Sequence, residues 1–328
     1  MSKKVLITGG SGFMGFHLAA KLCSEGYEVD ILDNFSRGPY DKDLEILSKY
    51  PNAKIIKGDM RYQTIFNSCS VDYNLVFHFA AILGVANVLE RPFNVLTENI
   101  SMFINVLEFA KSLKNLDRLI FPSTSEVYAG TLEYFQLKIP TPEKTPLAVS
   151  DLSMPRTSYM LSKIYGEALC WHSQVPFTII RPHNIFGPRM GMSHVIPELL
   201  KKAFEAPNGG EIEVASVNHT RTFCFINDAI EQIKRIAELP ICEGIALNVG
   251  NQTPEISMQD LAAIVVETLG KSLTITEKYD TPGSVTRRCP DMTETTRRIE
   301  YSAQCELRTG VKITYEWYRD NLFQRKGI

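Results

Sequence analysis

Short apolar runs and helix-spaced stretches take turns along the first half of the chain. Val5-Leu6-Ile7 is followed by the runs 28–33, 54–57, 75–79, 118–121 and 177–180, and each is short enough to be one strand. Between them apolar residues recur at helical spacing, most clearly over 95–113 and 158–173. Strands that are apolar throughout are covered on both faces, so the pattern predicts an α/β fold with a doubly wound parallel sheet of Rossmann type. Ligands of such sheets bind beyond the carboxyl ends of the strands. The second half is less regular. Pro182, Gly187, Pro188 and Gly191 interrupt it, a helix is expected over 194–205, and strands over 222–226 and 246–249. Ser257-Met258-Gln259-Asp260 has the form of a capping box opening a helix to Leu269. The expected division is a nucleotide-binding domain over 1–182 and a smaller C-terminal α/β substrate lobe over 183–328. Some segments of that lobe, about 221–250, should return to the main domain.

The first strand runs into Thr8-Gly9-Gly10-Ser11-Gly12-Phe13-Met14-Gly15 and then an amphipathic helix. Strand, glycine turn and helix in that order make a dinucleotide cradle. Gly9 makes the tight turn, Gly12 lets a pyrophosphate approach the backbone, and Gly15 permits close helix packing. The helix start, with Phe13 and Met14, turns free N–H groups and a positive dipole end toward phosphate. Eighteen residues after Gly15 the second strand ends at Asp33. A carboxylate there accepts from both ribose hydroxyls and repels a 2′-phosphate, which favours NAD over NADP. Asp33 and Asn34 are also ordinary turn residues, and Arg37 nearby softens the preference.

Composition narrows the classes. With 44% hydrophobic and 22% charged residues the chain has the make-up of a globular protein with a large core. A formal net charge of −2 gives no basic field for nucleic acid. No apolar run is long enough to span a bilayer. The first strand begins too early to leave room for a signal peptide. Seven cysteines without a CxxC pair argue against disulfides and a metal site, and for a reducing, cytoplasmic setting.

Two further patterns carry chemistry. Tyr159 and Lys163 are four apart, hence on one helical face, where an ammonium can lower the phenol pKa and make it a base for an alcohol. The strand ending at Phe121 opens into Ser123-Thr124-Ser125-Glu126, whose hydroxyls can hold the same substrate oxygen or simply form a turn. Glycine turn, hydroxyl strand end and Tyr-x-x-x-Lys occur in this order. With Gly58-Asp59-Met60, His78-Phe79-Ala80-Ala81, Arg181-Pro182-His183-Asn184, Gly187-Pro188-Arg189, Arg221-Thr222-Phe223 and Arg287-Arg288-Cys289-Pro290-Asp291, the chain resembles the extended short-chain dehydrogenase/reductase family, in particular its nucleotide-sugar epimerases, dehydratases and decarboxylases.

The resemblance implies NAD as cofactor, a nucleotide-sugar substrate and a homodimer packed through the helices at 95–113 and 158–173. Asp59 and Met60 would line the adenine pocket, and Ala80 and Ala81 would pass the pyrophosphate and nicotinamide ribose, while His78 is structural. Thr124 would hold the sugar hydroxyl, Tyr159 would be the base, and Lys163 would hold the ribose and tune Tyr159. Asn184, Arg221 and Arg288 would contact the sugar nucleotide; Arg189 reads equally as an ion pair, and His194 as a helix start. The implied chemistry is oxidation at C4 to a transient 4-keto sugar. That intermediate is then epimerised, dehydrated across C5 and C6, decarboxylated, or released in a net dehydrogenation. Ser125 and Glu126 bear on the branch. Thr-Ser-Glu looks like the UDP-glucuronate decarboxylases but also occurs in related dehydratases, and Glu126 either serves as a base near C5 or buttresses the loop. A redox-sensor protein using the same cradle is the reading of another class. The thirty residues between Tyr128 and Tyr159 form a long connection suited to a substrate lid.

Overall fold

The computed structural model describes residues 2–38, 40–279 and 285–324. Six parallel strands come from the first half: β1 (Lys4–Thr8), β2 (Glu28–Asp33), β3 (Ala53–Lys57), β4 (Leu75–His78), β5 (Arg118–Pro122) and β6 (Phe177–Pro182). The second half adds β7 (Ile185–Phe186), β8 (Glu211–Ala215), β9 (Thr220–Thr222), β10 (Cys224–Phe225), β11 (Ala246–Val249), β12 (Glu255–Ser257), β13 (Thr274–Lys278) and β14 (Arg287–Arg288). The main sheet has the order β3-β2-β1-β4-β5-β6-β11, all parallel. The winding direction reverses between β1 and β4, so the crevice for a ligand opens there.

Alternate residues of one strand feed two cores. Val5 and Ile7 join one apolar cluster with the helices Phe13–Ser24 and Ile226–Glu238. Leu6 joins the other, with Met102, Phe103 and Val106 of the helix Pro92–Ser112 and with Cys170 of Pro155–His172. This two-sided burial is why the strands read as unbroken apolar runs.

The expected strand over 222–226 is two short strands. β9 pairs with β12 and β14, whereas β10 pairs with β7, and the chain changes sheets at Phe223. Ser257 caps its helix as the spacing predicts: it accepts from Asp260 N at 3.0 Å while its hydroxyl donates to Asp260 at 2.7 Å. The 129–158 connection is strapped down rather than hung as a free flap. Thr131 donates to Pro146 O at 2.5 Å, Thr141 exchanges backbone bonds with Cys289 and Asp291 at 2.9 Å, and Arg181 donates to Glu143 O at 2.8 Å. Its middle is thereby fastened to the segment that follows β14.

Candidate active site

The glycine turn leaves a cradle that a side chain would fill. Gly9 has φ +70°, and a Cβ on it would lie 2.5 Å from Ala80 N, so the ends of β1 and β4 meet only over glycine. A Cβ on Gly15 would strike the Gly9 carbonyl, so the helix sits directly on the turn rather than on the strand. Gly12 is the N-cap and supplies no side-chain cap, and no acid lies in the first turn where Phe13 and Met14 begin the helix. Free N–H groups therefore face the crevice. Asp33 is held by Ser11 N at 3.0 Å and Phe35 N at 2.8 Å, which fixes its carboxylate at the strand end. Asn34 donates to Asp59 at 3.0 Å; Arg61 bonds the same carboxylate and holds its pKa down at about 2. Met60 is buried in the core and its carbonyl accepts from Asn105 at 2.8 Å. Ala81 follows Ala80 beyond the end of β4. Thr8 and the buried His78 share a 2.8 Å bond, and burial pushes that imidazole down to about 3, in keeping with a structural part. The cradle, the dipole end and the anchored acid suit a dinucleotide.

The helix Pro155–His172 reaches the end of β5 because a Cβ on Gly166 would enter the Phe121 ring. That approach delivers Lys163, one turn earlier on the same face. Its Nζ donates to Pro122 O at 2.7 Å and lies 5.0 Å from the Phe121 centroid. Burial lowers its pKa to about 8. Here the arrangement departs from the simple Tyr-x-x-x-Lys expectation. The Lys163 ammonium stands 5.8 Å from the Tyr159 ring centroid, and the charges that act on the phenol are Glu126 and Arg37. Burial and Glu126 raise the phenol pKa and Arg37 lowers it, with a net rise.

Two residues beyond β5, the Thr124 hydroxyl accepts from Glu126 N at 3.2 Å. Glu126 pairs with Arg288 at 2.7 Å, and Arg288 also reaches the buried Ser125 hydroxyl at 3.5 Å. Arg288, then hydrogen bonding to it, with lesser help from Arg156 and Arg221, holds the Glu126 carboxyl below its ordinary value against burial. Arg221 and Arg288 are register partners on β9 and β14, so two cations lie side by side. Arg221 donates to the carbonyls of Thr220 and Thr286 at 2.7 and 3.2 Å and to Val285 O. Burial first, then Arg288, pushes its pKa down to about 10.

The three remaining residues expected at the substrate are placed as follows. Arg189 is bonded within the protein: it pairs with Asp41 at 2.5 Å and Asp43 at 3.3 Å, donates to Ser11 O at 3.1 Å and stacks 4.1 Å from the Phe16 ring. Both readings of Arg189 stay open on this geometry: these bonds fit the ion pair, while its buried Nε has no hydrogen-bond partner among the described residues. Asn184, at φ +44°, donates to Thr222 O at 2.8 Å and ties β9 to the end of β6. His194 is exposed at the start of the helix Val195–Glu205. The pattern reading gave no catalytic part to Arg37 and missed Arg156. Arg37 follows Asp33 by four residues in a loop without periodicity. Arg156, three residues before Tyr159 on one helix face, was open to the same spacing argument.

A nucleotide cradle facing a phenol, a lysine and a carboxylate–arginine pair defines a dinucleotide-dependent enzyme acting on an anionic, hydroxylated substrate. Residues 5–250 match the sequence model of the NAD dependent epimerase/dehydratase family. The chain belongs to that family; it is an NAD-dependent enzyme with NAD as its cofactor. It is 31% identical to UDP-N-acetyl-alpha-D-glucosaminuronate decarboxylase of Bacillus cytotoxicus, over 98% of this chain and 99% of the relative. UDP-glucuronic acid decarboxylase 2 of Arabidopsis thaliana is 27% identical over 99% of this chain and 70% of the relative. Among solved structures, UDP-glucuronic acid 4-epimerase of Bacillus cereus, in complex with UDP-glucuronic acid and NAD, superposes with TM-score 0.79 and 25% identity, covering 97% of this chain and 99% of that one.

Proposed function

We propose that the enzyme decarboxylates a nucleoside-diphosphate hexuronate through a 4-keto intermediate. The observation that carries this is the Glu126–Arg288 pair at 2.7 Å, touching Ser125 and set against the Tyr159 side of the cleft. The decarboxylase names of the two relatives support it.

Gly9, Gly12, Phe13, Met14, Gly15, Asp33, Ala80 and Ala81 would hold NAD, which would supply reversible two-electron oxidation at C4, taking hydride before decarboxylation and returning it afterwards so that the net change is loss of CO2. The side chains do the rest. Thr124 holds the C4 oxygen and Tyr159 exchanges its proton. A C4 ketone makes the C6 carboxylate a β-keto acid. When the C5–C6 bond breaks, CO2 leaves and the electron pair passes into the C4 carbonyl as an enolate. Thr124 and Tyr159 stabilise that oxyanion by hydrogen bonding. We assign Glu126, held by Arg288, to guiding the return of a proton to C5. Arg221 and Arg288 together offer the positive field that a diphosphate or a carboxylate needs.

We further read the protein as a homodimer in a reducing, cytoplasmic setting. The helices Pro92–Ser112 and Pro155–His172 pack on each other and expose Phe93, Ile104, Tyr165 and Trp171. All seven cysteines are free thiols. Among the described residues no helix is long and apolar enough to cross a membrane.

The test is incubation of purified enzyme with UDP-glucuronate, UDP-N-acetylglucosaminuronate and their non-acidic hexose counterparts, read by mass spectrometry. Loss of CO2 from a uronate, with no change in the neutral sugars, is expected. A product of unchanged mass and altered mobility would make the enzyme an epimerase instead.

A further inference from the structure

The residue after Pro182 has no part in the chemistry above, yet it is buried beside it. His183 is 1% exposed at the end of β6. Its hydrogen bonding is fixed by its neighbours. Asn248 Nδ2 donates to Thr141 O at 3.0 Å and to Asp291 O at 3.1 Å, so Asn248 Oδ1 is left as an acceptor. Tyr128 OH, which receives Arg181 Nη1 at 2.8 Å, donates its own proton to that oxygen at 3.2 Å. His183 Nε2 meets the same oxygen at 3.0 Å, and an amide oxygen has no proton to give, so Nε2 carries the hydrogen. The lone pair therefore sits on Nδ1. Burial first, with Arg288 and Arg181 also repelling a proton, pushes the imidazole down to about 3 and keeps it neutral.

Among the described residues His183 Nδ1 has no hydrogen-bond partner. An acceptor buried without a partner costs stability, so a donor is called for. His183 lines a small cavity with Ser125, Tyr128, Leu132, Thr141 and Arg288, roofed by the strapped-down connection. The cavity has about 20 Å³ of room for the centre of a water molecule, enough for one. Its wall carries the Ser125 hydroxyl and the Arg288 guanidinium as donors, so a water there would have the two to four polar partners it needs.

We propose that this cavity is a binding site for one ordered water that donates to His183 Nδ1 and accepts from Ser125 Oγ, making His183 a positioning residue for the Ser125 hydroxyl. The binding site itself stands on the cavity alone; the part given to Ser125 rests on the function proposed above. With the Ser125 proton directed toward the water, the Ser125 lone pairs face Arg288, and the Glu126–Arg288 pair is held in one geometry.

A crystal structure of the ligand-free full chain, at a resolution that shows ordered water, reads the site directly. A water about 2.7–3.2 Å from both His183 Nδ1 and Ser125 Oγ is expected. A cavity without it, or one filled by a protein side chain, overturns the proposal.

Two variants separate the ring nitrogens in solution. His183→Asn keeps an acceptor near the place of Nδ1 and gives up the bond to Asn248. His183→Gln keeps a donor for Asn248 and loses the acceptor at Nδ1. The expected result is kcat lowered about tenfold in His183→Gln with KM nearly unchanged, and largely retained in His183→Asn. The reverse order would mean that His183 serves only Asn248. In a Ser125→Ala background His183→Gln should cost nothing more, because the water then has no hydroxyl to orient; multiplicative losses would refute the link. The cycle is read on whichever nucleotide sugar the enzyme converts, so failure of the decarboxylase reading leaves the test intact.

Discussion

The two walls of the cleft are built in opposite ways. The cofactor wall is backbone: a glycine turn, a helix start and one acid, nearly all from the first 33 residues, with Ala80 closing against Gly9. The substrate wall is side chain against side chain. Glu126, Arg221 and Arg288 come from three distant segments and are placed by one ion pair and by the register of β9 on β14. Backbone geometry is local and rigid, so the first wall is preformed. The second depends on charges that hold one another in place and can be separated by a ligand carrying its own charge.

Removing the group that stands between the walls has the largest effect. Tyr159→Phe should lower kcat by about a thousandfold while cofactor binding and thermal stability stay as they are. Retained turnover would take the role of base away from Tyr159. Next comes the charged wall. Glu126→Gln and Arg288→Met should each lower kcat/KM by about a hundredfold, and the double variant should fall far short of the product, because each partner without the other is already disabled. The pH profile sharpens this. Arg288 is the chief cause of the lowered Glu126 pKa, so Arg288→Met lets the carboxyl titrate at higher pH and moves the acid limb of kcat/KM upward. Stability should follow the same sign. The contribution of the paired carboxylate is full above its unfolded value and is lost as pH falls through the lower folded one.

How much of this was legible in the sequence divides along the same walls. The strand runs, the glycine cradle, Asp33 and the capping box at Ser257 are encoded within a few residues of one another, and period and turn chemistry expose them. β12 and β14 are two or three residues long and pair only with partners far along the chain, so no local period marks them; β8 and β13 do alternate, as in Glu211-Ile212-Glu213-Val214, and the sequence reading passed over them. The same limit explains Arg189 and His183. Nothing next to Arg189 says that Asp41, Asp43 and Ser11 will consume it, and nothing next to His183 says that Asn248 will fix its tautomer. Spacing put Tyr159 and Lys163 on one helix, but it could not show that Pro122 O captures the ammonium.

That capture sets up a trade between function and stability. Lys163 is 5% exposed, with its pKa lowered to about 8, so its charge is disfavoured in the folded protein at neutral pH. The unfolded chain binds the proton more tightly, and stability should therefore rise as pH climbs from about 8 toward the unfolded value near 10.4. Lys163→Met should abolish turnover, flatten that rise and stabilise the ligand-free protein by about 1–4 kcal/mol at neutral pH. Denaturant titrations at several pH values measure both. A destabilised Lys163→Met would mean that the bond to Pro122 outweighs the cost of burying the charge.

The smallest effect is expected at Arg189, which we propose acts as a clamp and not as a substrate ligand. Arg189 bonds the glycine turn at Ser11 and the acids at Asp41 and Asp43, so it belongs to the cofactor wall although it follows β7 in the chain. Its guanidinium is nearly enclosed, at 6% exposure, while the two acids remain partly open to water. Loss of these bonds in Arg189→Met should cost roughly 1–3 kcal/mol of stability, with KM for the nucleotide sugar changed by less than about twofold. An arginine that held the diphosphate would behave the other way. Its removal would take away charge-assisted bonds to the substrate and raise KM about tenfold or more, with stability nearly untouched. Denaturant unfolding and initial-rate kinetics on the one variant therefore place Arg189 on one wall or the other, and Arg288→Met, carried through the same two measurements, marks what a substrate-wall arginine looks like.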